Sequence, residues 1–188
     1  MKPAGIKHFT TTMLLLLVLT ACNSTEQANA YFLVKYIEAE IDTQPMTVYA
    51  GLELKFSPAV EEALNKGVTI PIKAIARITR DERIDRIIVD HGNRWEIRYL
   101  PMSRHYLLTD LRSKEETTWP RLRHALASLK RIAIEMPPAE LKPGDYRLEV
   151  KIFLDRRRLP APMRLPALVS SEWKLDTSWY QWPFQITK

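Results

Sequence analysis

The sequence predicts a mainly β chain, an antiparallel immunoglobulin-like β-sandwich with two short helices, and three observations carry that prediction. In several stretches apolar residues recur at every second position, which is the period of a half-buried strand. The segment Leu141-Lys142-Pro143-Gly144-Asp145-Tyr146 runs into a cleanly alternating series, Leu148, Val150, Ile152 and Leu154. A turn carrying Leu and Pro ahead of a strand-opening Tyr is the pattern of a tyrosine corner. There the Tyr hydroxyl bonds to backbone a few residues upstream and pins a crossover between two sheets. The alternative is a Pro-Gly turn whose Tyr only faces the core. Finally, helical periodicity appears twice and never in the strand-helix-strand rhythm that a parallel sheet needs.

Strand patterns begin at Tyr31. Met46, Val48, Ala50, Leu52, Leu54 and Phe56 alternate with Thr47, Tyr49, Glu53 and Lys55, so one set faces a core and the other water. Ser57-Pro58 opens a short helix, with Ser57 able to cap it and Pro58 preset for its first position. Val60, Ala63 and Leu64 form its apolar stripe, and Gly67 suits the left-handed turn that ends it. Alternation resumes with Val68, Ile70, Ile72, Ala74, Ala76 and Ile78.

Residues 84–89 and 94–99 read as the arms of a hairpin whose turn is Asp90-His91-Gly92-Asn93. A further strand is expected around His105 to Leu111, and a second helix over 118–130, where Leu122, Ala125, Leu126 and Leu129 share a face. Ile132, Ile134 and Met136 form a short strand that Pro137-Pro138 ends. After the strand at 146–154 the run with Pro160, Pro162 and Pro166 is expected to be extended, without helix. Ser171 to Leu175 then opens a last strand or strand pair. Trp173, Trp179 and Trp182 place three of the five tryptophans within ten residues.

The N-terminus carries a different signal. Lys2 and Lys7 precede an apolar run from Met13 to Leu19, too short to span a membrane, and Leu19-Thr20-Ala21-Cys22 follows. A cationic segment, a short apolar one and small residues before the sole cysteine look like a bacterial lipobox. In that chemistry Cys22 is diacylglycerated, cleavage frees its amine, and the amine is acylated too. Residues 1–21 are then a lipoprotein signal peptide, 22–30 a polar tether, and 31–188 a single domain. Each buried CH₂ adds about 0.8 kcal/mol, so two or three chains on one residue make a lasting anchor. Asn23 stands where an Asp would favour inner-membrane retention, so the outer membrane is favoured. The rival reading is a cut after Ala28-Asn29-Ala30, which discards Cys22 and releases a soluble periplasmic protein. A free buried thiol at Cys22 fits poorly with its hydrophilic neighbours, Asn23 to Gln27.

Composition sets the bounds of function. With 46% hydrophobic and 27% charged residues the chain is that of a soluble globular domain, and its length fits one domain with a real core. The formal charge is +6, of which Lys2 and Lys7 supply two. Anionic lipid head groups or envelope polymers are the expected counter-ions, and no nucleic-acid motif is present. With one cysteine no intramolecular disulfide forms.

No G-x-S-x-G elbow, phosphate loop or H-E-x-x-H spacing occurs, and no cofactor or metal is expected. Asp90-His91 could pair with a distant residue to hold a metal, but a His in a turn is more often solvated. Glu61-Glu62 and Glu115-Glu116 read as exposed charge. The expected class is therefore binding or scaffolding, not catalysis. The candidate surface is Arg156-Arg157-Arg158, which suits phosphates or carboxylates, together with Trp182. If Trp173 and Trp179 face inward, strand alternation leaves Trp182 outward. A solvated charge run and core packing of the tryptophans are the plain alternatives.

The chain resembles the bacterial DUF4390 family over about residues 31–184. The resemblance rests on Ser57-Pro58, the block Glu61 to Ile70, Arg94-Trp95, Arg98 to Pro101, His105-Tyr106 and Leu126. It rests also on Tyr146, Leu159 to Leu165 and Ser171 to Leu175. It implies an exported envelope protein without an established activity, whose genes often neighbour a sensor histidine kinase pair. Family members carry ordinary secretory signals, so the lipobox is a departure, and no catalytic residue carries over. An accessory domain for such a kinase, with an envelope protein partner, and a lipid or glycan carrier are the alternative functions.

Overall fold

The computed structural model describes residues 30–41 and 45–187, so the expected signal peptide over 1–21, Cys22 and the expected tether up to residue 29 lie outside the described residues. The described chain forms the expected sandwich of two antiparallel sheets. One holds β1 (Tyr31–Glu40), β2 (Thr47–Lys55) and β7 (Arg131–Glu135) in the order β1-β2-β7. The other runs β6-β5-β4-β3-β8-β9, from β3 (Ile70–Arg80), β4 (Arg86–Leu100), β5 (His105–Asp110), β6 (Glu116–Trp119), β8 (Gly144–Leu154) and β9 (Tyr180–Ile186). Three helices join them: α1 (Pro58–Asn65), α2 (Leu122–Ser128) and α3 (Ala161–Val169).

The alternating sets meet in one core. Val48, Ala50 and Leu52 from the small sheet, Phe56 just after it, and Ile70, Ile72, Ala76, Leu148 and Ile152 from the large one are all buried in it. The tyrosine corner is present: Tyr146 is buried and its hydroxyl donates to the Lys142 carbonyl at 2.7 Å. Ser57 caps α1 by accepting from the Val60 amide at 3.2 Å. At its other end Gly67 (φ 91°) closes a Schellman turn, with its amide on the Leu64 carbonyl and Val68's on Ala63's.

Four expectations need correction. The hairpin with its turn at 90–93 does not form; β4 is one strand through those residues, paired along β3 from Ile70↔Ile97 to Arg80↔Arg86. The reversal lies instead at 81–85, between two strands long enough to pair over their whole length. Gly92 marks a close approach of strands: a Cβ there would lie 2.6 Å from the Ala74 carbonyl oxygen. The second helix starts at Leu122, because Thr117, Thr118 and Trp119, β-branched and aromatic, pair with β5 as β6.

The proline-rich run is not extended: it forms α3, which makes three helices among the described residues. Pro162 lies in the helix's first turn, where no amide is needed, and only Pro166 is interior. Finally, Ser171–Trp173 is a short 3₁₀ turn and β9 begins only at Tyr180. Trp173 and Trp179 therefore precede the last strand.

Candidate functional site

The two faces of the large sheet are built differently. On β3, Ile70, Ile72, Ala74, Ala76 and Ile78 point to the core, which leaves Lys73, Ile75, Arg77 and Thr79 on the outer face. Registers place Lys73 between Arg94 of β4 and Phe153 of β8, and Arg77 between Asp90 and Glu149. The first row is cation, cation, aromatic. The second is acid, cation, acid.

The second row is neutralised. Glu149 is buried, accepting from Arg77 Nε at 2.6 Å, Thr79 Oγ1 at 2.9 Å and Gln181 Nε2 at 2.8 Å. Burial pushes its carboxyl up, but the bonds from Arg77, Thr79 and Gln181 and the Arg77 charge outweigh that and hold it below the ordinary value of 4.5. The Arg77 guanidinium also lies 3.9 Å from the ring centre of Trp179. Arg147 pairs with Asp85 at 2.5 Å, and Lys151 with Asp176 at 3.2 Å.

Around the first row the chain supplies more cations. Asp155 follows β8 with its amide on the Pro71 carbonyl at 2.9 Å, and Arg156–Arg158 come next as a 3₁₀ turn. This brings Arg156, Arg157 and Arg158 beside Lys73 and Arg94. Together with Phe153, Leu154, Asp155 and Leu168 they line an open concavity of about 720 Å³. Arg156 Nη1 donates to the carbonyls of Ala167 and Leu168 at 3.2 and 3.3 Å, which fixes the turn against the end of α3. Arg157 and Arg158 are exposed. Among the described residues neither they nor Lys73 nor Arg94 has a carboxylate within ion-pair distance. The Arg94 Nε is buried and finds no hydrogen-bond acceptor there. Like charges opposed across two strands repel. The concavity therefore carries an excess of positive charge, five cations with Asp155 as the acid among its lining residues.

A second groove, of about 680 Å³, lies beside α2, over Leu54, Phe56, Leu122, Leu126 and Ala127. Its rim is mixed, with Lys55, Arg121, Arg123 and Lys130 set among Glu53 and Glu61. Glu53 is already held by Tyr31 and, at 2.7 Å, by Lys35.

The arginine run thus lies in the concavity, and Trp182 does not. The β9 register sets Trp182 opposite Leu148, on the core side, where it is half-buried and stacks on Phe184 at 5.8 Å. Trp179 is the outward tryptophan; it precedes β9, so strand alternation says nothing of its direction. Trp173 is buried. Lys73 and Arg94 were not legible as site residues, because a turn at 90–93 removes the register that joins them. Their only signal is a cation at the polar position of each strand pattern. Among the described residues the histidines are dispersed: His91 is opposite Ala76 within β4, His105 opens β5 with Nδ1 2.6 Å from the Ser103 carbonyl, and His124 is in α2. Among the described residues no group of three or more His, Cys, Asp or Glu is placed to hold a metal, and no helix is long and apolar enough to cross a membrane.

Fold and surface together define a β-sandwich domain with an unneutralised basic concavity on the outer face of its larger sheet. The family model for the domain of unknown function DUF4390 matches residues 30–183, and the chain belongs to that family. No curated protein and no solved structure matches it.

Proposed function

We propose that this is a cell-envelope lipoprotein, held through Cys22 and facing the periplasm, which works by binding and not by catalysis. Its basic concavity takes a ligand bearing phosphate or carboxylate groups. The observation that carries this reading is the contrast along β3: Arg77 is sandwiched by acids, while Lys73 faces Arg94 and gathers Arg156–Arg158. Arginines bind such groups bidentately, and a half-buried cluster is screened less by salt than a free charge run.

Pyrophosphate is the first probe. Adding it should raise the thermal midpoint in a concentration-dependent way, since a ligand that binds only the folded state stabilises it. In Lys73→Met the response should fall sharply, while stability without anion rises by about 0.2–1 kcal/mol as the opposed charges are relieved. An unchanged response in this variant, or none in the parent protein, would sink the reading.

The anchor is tested separately by intact mass of the mature protein. A diacylglyceryl group plus an acyl chain on Cys22 is the expected result. A free N-terminus at Tyr31 would instead mean a soluble periplasmic protein.

A further inference from the structure

Helix α3 is built inside out for a surface helix. Only Ala167 is buried and Met163 half-buried, while Leu165, Leu168 and Val169 are 76%, 46% and 87% exposed. Pro162 and Pro166 are exposed too. An ordinary surface helix turns its polar face to water, and a contiguous exposed apolar patch marks an interaction surface. The polar residues around it have one dominant sign. Between residues 156 and 174 the chain has five cations, Arg156, Arg157, Arg158, Arg164 and Lys174, against one acid, Glu172. Arg164 is braced by its Nε bond to the Leu159 carbonyl at 2.7 Å.

We propose that α3 and the flanking arginine turn form a docking face for an anionic lipid bilayer. Leu165, Leu168 and Val169 enter the boundary between head groups and acyl chains, and the arginines meet the phosphates. Apolar side chains ringed by Arg and Lys are the composition that binds such an interface, and each basic residue near the surface adds to the attraction.

The position of the chain's start agrees. Tyr31 pairs with Lys55 at the end of β2, and β2 leads through Phe56 and Ser57 into α1. Helix α1 packs on the 171–173 turn, which packs on α3. The described chain therefore begins at the end of the sandwich that bears α3. The nine residues from Cys22 to Ala30 reach at most about 30 Å, so an acylated Cys22 would hold this end at the membrane. That orientation rests on the lipid-anchor reading; the docking itself rests on the exposed face.

The test uses the mature chain with Cys22→Ser, so that no acyl chain contributes. Flotation with vesicles of phosphatidylethanolamine and phosphatidylglycerol should carry the protein, and vesicles of phosphatidylcholine alone should not. Leu165→Asp with Val169→Asp should weaken flotation about tenfold or more, by removing buried apolar area and adding like charge to an anionic surface. Both positions are exposed, so folding should be intact, and the pyrophosphate response should remain because neither lines the concavity. Absence of flotation with anionic vesicles at low salt overturns the proposal and leaves the face to a protein partner. Flotation undiminished in the double variant overturns it as well, and assigns lipid binding to the arginines alone. In the chain without the two aspartates, flotation on anionic vesicles with no pyrophosphate response would count against the ligand site and not against docking.

Discussion

Gly92→Ala should destabilise the domain by about 3 kcal/mol, and Gly92→Val by at least as much, a large part of the 5–15 kcal/mol that holds a typical domain folded. The cause is steric. Gly92 lies opposite Ile75 on adjoining central strands, and its Cβ would lie 2.6 Å from the Ala74 carbonyl oxygen. That neighbour is backbone, so relief requires β3 and β4 to part at the middle of their longest pairing. Gly67→Ala is the control. Gly67 has φ 91° with nothing within 4 Å of its would-be Cβ, so only the left-handed backbone is penalised, at about 1–2 kcal/mol. Urea denaturation midpoints measure both. If Gly92→Ala is no worse than Gly67→Ala, β4 is not paired as described and the hairpin reading returns.

The same glycine shows where sequence reading reached its limit. Period-two alternation found β2, β3 and β8 because each buries one face, and the Pro-Gly-Asp-Tyr segment found the corner because a specific hydroxyl must reach the Lys142 carbonyl. Asp90-His91-Gly92-Asn93 has a turn's composition for another reason. Asp90 lies opposite Arg77, and Gly92 makes room for Ala74. A pattern of residue types cannot separate a glycine needed for φ from one needed for space. The proline run failed likewise: Pro162 in a first helical turn reads the same, from sequence, as a proline in an extended segment.

The candidate site was half legible. Arg156–Arg158 are contiguous, so the chain itself displays them. Lys73 and Arg94 join them only through strand register, which depends on the pairing of residues about twenty apart. That pairing also separates a neutral row from a cationic one on the same face. Without it, Arg77 and Lys73 look alike.

Glu149 enforces the neutral row, and its removal should be the second large effect. Glu149→Ala should cost about 3 kcal/mol at pH 7, because breaking a buried ion pair leaves a cation uncompensated. Here the orphaned groups would be the Arg77 guanidinium against Trp179, the buried Thr79 hydroxyl and the Gln181 amide. Glu149→Gln should cost less, since an amide oxygen still accepts from Arg77 and Thr79 while Gln181 can turn its own oxygen to the new NH₂.

The pH dependence separates charge from packing. The carboxyl is held below 4.5 in the folded state, so the stability it lends is fully present above its unfolded value. That contribution is lost as pH falls through the lowered folded value. The stability gap between the parent protein and Glu149→Ala should therefore be constant above about pH 5 and narrow on further acidification. A gap that holds unchanged to about pH 3 would mean that Glu149 acts through shape alone. In Glu149→Ala the concavity should also bind pyrophosphate more tightly, because an unpaired Arg77 adds its charge to the face that already holds Lys73 and Arg94.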